Sequence, residues 1–125
     1  MKRIMKPVLN YDEMSDTLYV SFAPGEHATV VELNDHVLLR INKQERRAVG
    51  LTFFDYSLLA QSTDFGPRSF PLTGLADLAP ELRQLVVEII SQPPVSDFLL
   101  LSSYTPSFHE TVPITSLHRT ALVPA

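Results

Sequence analysis

The chain has 125 residues, a formal net charge of −4, 45% hydrophobic and 19% charged residues, and no cysteine. That is one domain's length, too apolar for a disordered tail and too acidic overall for a generic nucleic-acid binder. Without cysteine there are no disulfides, thiolate zinc sites or cysteine nucleophiles.

In chain order, the basic start Met1-Lys2-Arg3 has no apolar run behind it, so it does not read as a secretory signal. Thr17 to Phe22 alternates, with Leu18, Val20 and Phe22 on one face, which predicts a half-buried strand. Tyr11 and Tyr19 are expected to flank the intervening turn as cross-strand packing partners. Pro24-Gly25 marks a turn, Thr29 to Leu33 a second strand, and Asn34-Asp35 a tight hairpin turn, since both residues tolerate left-handed backbone. Val37 to Ile41 alternates again, Lys43 to Arg47 reads as a charged loop, and Val49 to Phe54 is the last clear strand of this half. Gly50 within it predicts a bulge or a close backbone approach.

The second half changes character. Residues 1–60 hold seven basic and eight acidic side chains and two prolines, whereas residues 61–125 hold three, six and eight. Low charge in one half signals deep burial or an interface with another subunit. After a loop at 61–67, Leu75, Leu78, Leu82, Leu85 and Ile89 recur at helical spacing. Pro80 fits a first helical turn but not an interior, so the main helix is predicted at about 79–91, after a separate turn at 75–78. Gln92-Pro93-Pro94 stops it. Asp97 to Ser103 reads as a buried strand and Thr111 to Leu117 as another, interrupted by Pro113. No run reaches the ~20 apolar residues of a membrane span.

Tyr11-Asp12-Glu13, Asp16, Leu18-Tyr19-Val20, Val31-Glu32-Leu33, Asp35, Val37, Val49-Gly50-Leu51 and Asp55-Tyr56-Ser57 together resemble a small bacterial family catalogued as domain of unknown function 2283. The resemblance covers roughly residues 8–58, and nothing in 59–125 is matched. It implies a compact, strand-rich domain without an assigned activity. Some members look like one half of a toxin–antitoxin pair, which implies a protein partner. The chain departs from the family's usual pattern at Arg40-Ile41-Asn42 and at Thr52, where the family commonly carries acidic residues.

Each chemical signal has a plainer alternative. Asp12, Glu13 and Asp16 are the densest acidic cluster. They could hold a cation or act as acid and base, or could accept backbone N–H bonds in a turn. The histidines are His27, His36, His109 and His118; a zinc site would need them to converge with carboxylates such as Asp35 and Glu110. Ser102 or Ser103 with His109 and Asp97 could imitate a hydrolase triad, but no nucleophile elbow surrounds either serine. Lys2, Arg3 and Lys6, and separately Arg46 and Arg47, could contact phosphates or simply be solvated; no helix-turn-helix pattern accompanies them.

The expected fold is therefore a single α+β domain over residues 1–125. An antiparallel β-meander of four to five strands occupies 7–58, and 59–125 supplies one main helix packed on a face and one or two C-terminal strands. The expected function is a non-catalytic protein–protein interaction module, the antitoxin-like partner of a small toxin being its specific form. The alternative is a small enzyme or metal- or ligand-binding domain built on Asp12, Asp16, Glu32, Asp35 and His36. The expected partners are a second copy of the chain, a small protein, or both; no cofactor, membrane or nucleic-acid partner is expected, and the expected setting is the cytoplasm.

Overall fold

The computed structural model describes residues 7–60, 62–63, 66–67, 70–107 and 110–117, with side chains over 7–60 and 71–99. Its elements are strands β1 (Val8–Asp12), β2 (Thr17–Ser21), β3 (Thr29–Glu32), β4 (Val37–Asn42) and β5 (Arg47–Phe53), helix α1 (Tyr56–Leu59), short strands β6 (Ser62–Thr63), β7 (Gly66–Pro67) and β8 (Phe70–Pro71), helix α2 (Pro80–Ile90), and strands β9 (Leu99–Ser107) and β10 (Glu110–Leu117). Single 3-10 turns lie at Thr73–Asp77 and Val95–Asp97. The α+β expectation holds: five antiparallel strands, one main helix and two C-terminal strands, with β10 pairing both β9 and β8.

The main sheet runs in the order β1-β2-β5-β4-β3. Strands β3, β4 and β5 form the meander, and the β1–β2 hairpin docks along β5. The alternation read in the sequence sets the core face. Val37, Leu39 and Ile41 of β4 are fully buried, as are Val20, Leu51 and Phe53. Helix α2 covers this face through Leu85, Val86, Ile89 and Ile90, joined by Leu72, Leu75, Val95, Phe98 and Leu99. Pro80 sits at the helix start and Glu81 in its first turn, where a missing N–H costs nothing and a carboxylate favours the positive end of the helix dipole.

To reach β3 from β2, the chain crosses one end of the sheet. Phe22 and Ala23 both donate to the Val49 carbonyl, at 2.8 and 3.3 Å, and Gly25 takes a left-handed turn. The Glu26 carboxylate then receives the Arg47 guanidinium at 2.6 Å and the Asn42 amide at 3.2 Å. The opposite end of the sheet carries the β1–β2 turn, the β3–β4 turn and the entry to α1, because Phe53 is paired with both Leu18 and Val37. The turn expected at Asn34-Asp35 forms, but neither residue takes left-handed backbone; instead Asn34 Oδ1 accepts from the His36 and Val37 amides at 2.8 and 3.0 Å and closes the turn with its side chain.

Both effects foreseen at Gly50 occur. The β4–β5 register shifts between Arg40 and Ile41, opposite Gly50 and Ala48, a bulge in the ladder. The Arg40 side chain also lies over Gly50, where an added Cβ would meet the guanidinium and stand 2.7 Å from the Val20 carbonyl oxygen.

Gly74 makes the other close approach. Its N–H donates to the Leu33 carbonyl at 2.8 Å, and an added Cβ would overlap the Glu32 carbonyl. Backbone cannot swing aside as a flexible side chain can, so Gly74→Ala is expected to destabilise the fold by about 1–3 kcal/mol. Thr73→Ala, at the exposed neighbouring position, should change stability by less than ~0.5 kcal/mol. Urea unfolding of the two variants checks the difference.

Candidate functional site

The end of the sheet that gathers the three turns carries the densest polar network. Asp16 holds left-handed backbone at φ 53°, which aspartate tolerates better than most residues. Its Oδ1 accepts from the Tyr11 hydroxyl at 2.5 Å and the Ser57 hydroxyl at 2.8 Å. The Ser57 amide donates to both carboxylate oxygens, at 3.2 and 3.1 Å, and the Tyr56 amide to the Asp16 carbonyl at 2.9 Å. One residue thus fastens β1 and α1 to the β1–β2 turn. The Tyr56 ring adds an edge-on contact to Tyr11, centroids 5.8 Å apart.

The electrostatics follow from these bonds. The Tyr11 hydroxyl, with help from the O–H and N–H of Ser57, holds the Asp16 carboxyl below its ordinary value. The Asp16 acceptor in turn raises Tyr11, and burial raises Tyr56. With every Asp16 oxygen accepting, the carboxylate acts as a clamp between segments.

The residues singled out in the sequence fall into separate places at this end. Asp12 accepts the Met14 amide at 3.1 Å inside its own turn, and Asp16 belongs to the clamp. His36 Nδ1 lies 3.1 Å from Asp55 Oδ2, but that buried nitrogen has no hydrogen-bond partner among the described residues. Glu32 and Asp35 line a cleft of about 350 Å3 with Asp77 and Leu82, whose carboxylates favour a cation over an anion. Among the described residues no group of three histidine or carboxylate side chains is placed to hold a metal ion. Arg46 is paired with Glu88, and Arg47 with Glu26 and Glu45. His27 is exposed. Lys2, Arg3, Lys6, His109 and His118 lie outside the described residues, as do the side chains of Ser102 and Ser103.

Tyr11 and Tyr19 are not cross-strand partners. The four-residue turn sets Tyr11 opposite Leu18 and Tyr19 opposite Asn10. A one-residue offset reverses the face, so Tyr11 shares the side of Leu18 and Tyr19 lies on the other. Residues that the sequence reading passed over are Asp55 and Ser57. Their signal was present in the Asp55-Tyr56-Ser57 motif, but nothing local shows that Asp55 takes left-handed backbone at φ 54° or that Ser57 reaches Asp16.

The second notable feature is apolar. All five residues of β1 are exposed, and among the described residues the strand pairs with β2 alone. The exposed large apolar side chains gather round it: Val8, Leu9 and Tyr11 on the strand, Met14 in the turn at 98% exposure, Tyr19 beside it and Leu58 on α1. Among the described residues only Val30 and Val87 lie elsewhere. The core layer stops short of β1, so Leu9 and Tyr11 extend the core face into solvent. A concentration of this kind at an unpaired edge marks an interaction surface.

The clamp makes a pH-dependent prediction. A carboxyl held low in the folded state stabilises it above the unfolded value of ~3.9, and that contribution disappears as pH falls through the folded value. Asp16→Asn keeps a side chain suited to the turn but loses the charge. The variant should be less stable than the natural chain at pH 7 in urea, and the two should converge as pH falls below the depressed folded-state value of Asp16. A constant difference across that range would contradict a charge-based clamp.

Among known proteins, no curated protein and no solved structure gives a significant match. Residues 9–57 match the model of the family described as protein of unknown function (DUF2283). That span runs from β1 into α1 and contains the Asp16 clamp and most of the exposed strand, so the similarity to the family lies within the five-stranded unit.

Proposed function

We propose that the chain is a non-catalytic protein–protein interaction module. The observation that carries this reading is the gathering of exposed apolar side chains on both faces of β1, an edge strand open to pairing. Aromatic and aliphatic side chains at such an edge supply the desolvated anchors of an interface, and the free backbone groups supply its hydrogen bonds. The polar residues nearest to it, Tyr11, Asp16 and Ser57, are engaged with one another, which leaves them to rigidify the surface. The toxin–antitoxin likeness of the family supports a small protein as one occupant. The absence of cysteine suits work in a reducing cytoplasm. No helix among the described residues is long and apolar enough to cross a membrane.

Native mass spectrometry of the protein drawn gently from the cells that make it tests the reading. The expected result is a stoichiometric added polypeptide, a second copy or another small protein. Leu9→Asp, at an exposed position, should remove that mass without changing the far-ultraviolet circular dichroism. A natural chain that always flies as the bare 14.0 kDa species would contradict it.

A further inference from the structure

We infer that the partner on the β1 edge is a second copy of this chain, joined by antiparallel pairing of the two β1 strands about a two-fold axis at Asn10. This rests on the interaction-module reading and commits that surface to one occupant.

Two observations lead to it. The first is that the two edges of the sheet are unequal. Beside β3, the Gly74 amide bonds to the Leu33 carbonyl, the Gly74 backbone packs on Glu32, and Asn34 Nδ2 donates to the Pro71 carbonyl at 3.0 Å. The Thr73–Asp77 turn therefore covers the Glu32–Leu33 end of that edge, while β1 has no neighbour beyond β2 among the described residues. Pairing of the open β1 edges of two copies about a two-fold axis gives a closed dimer and no filament.

The second is self-complementarity. With Asn10 opposite the partner's Asn10, Leu9 faces the partner's Tyr11, and Val8 faces the partner's Asp12. Leu9 and Tyr11 both lie on the core side, since they pair with Val20 and Leu18, so each exposed apolar residue there meets an apolar neighbour. No like charges are opposed along the strand.

The natural lack of cysteine makes single-cysteine crosslinking a clean test of both state and register. Directly opposed residues of an antiparallel pair have Cα atoms ~4.5–5.5 Å apart, within disulfide range. Under mild oxidation Asn10→Cys is expected to form a covalent dimer. Val8→Cys alone is not, but mixed with Asp12→Cys it should form the mixed dimer. Light scattering on the purified natural chain should show the mass doubling from 14.0 kDa with concentration, and Leu9→Asp should raise the dimer dissociation constant at least about tenfold. A natural chain that stays monomeric at all concentrations overturns the inference. If such a monomer still binds another protein through Leu9, the interaction-module reading stands; if it binds none, that reading falls as well. A dimer in which Val8→Cys crosslinks to itself and Asn10→Cys does not overturns the register.

Discussion

Strand β5 has to be buried on both faces, and much of the architecture follows from that constraint. It lies between β2 and β4 in the sheet, with Leu51 and Phe53 in the core. Its other face offers little side-chain bulk at Gly50 and a nearly buried hydroxyl at Thr52. Arg40 covers Gly50 with a guanidinium whose Nε has no hydrogen-bond partner among the described residues. A β-carbon at position 50 would push on that guanidinium and on the Val20 carbonyl together, disturbing both neighbours of the central strand. Arg40 and Thr52 flank this glycine. They lie on the face turned away from the core.

Because β5 takes the centre, the β1–β2 hairpin is placed outermost, and the core layer does not extend over β1. The Asp16 clamp is the counterpart of that placement. It ties the outer hairpin to the start of α1 through charge-assisted hydrogen bonds, which are stronger than neutral ones. The edge is thus held in shape while its apolar side chains stay in solvent. An exposed strand that is rigid loses less conformational freedom on docking than a flexible one, which favours binding.

How much of this was legible in the sequence depends on the range of the interaction. Alternation in β2 and β4 and the leucine spacing of α2 are local signals imposed by a single buried face, and each located its element to within a residue or two. The turn at Asn34 was readable for the same reason, although it is made by the side chain bonding to amides two and three residues on and not by left-handed backbone. The strand order was not readable, because it rests on residues 22–28 crossing the sheet and on the contact of Glu26 with Arg47, 21 positions away. β1 itself, Val-Leu-Asn-Tyr-Asp, has no clean alternation, as expected of a strand with neither face under the core. The Tyr11–Tyr19 pairing failed on turn length, which sets register and is invisible to residue type. Asp16 was singled out for its charge, but its partner Ser57 is 41 positions away.

Amide hydrogen exchange of β1 tests the central claim most directly, because it reads the pairing of that edge without altering a residue. If β1 is an interaction strand that pairs with a second copy, protection of the amides at residues 8–12 that point away from β2 should rise with protein concentration. The amides shared with β2 should stay protected throughout. Outward amides that exchange at the free-chain rate at every concentration would contradict the account.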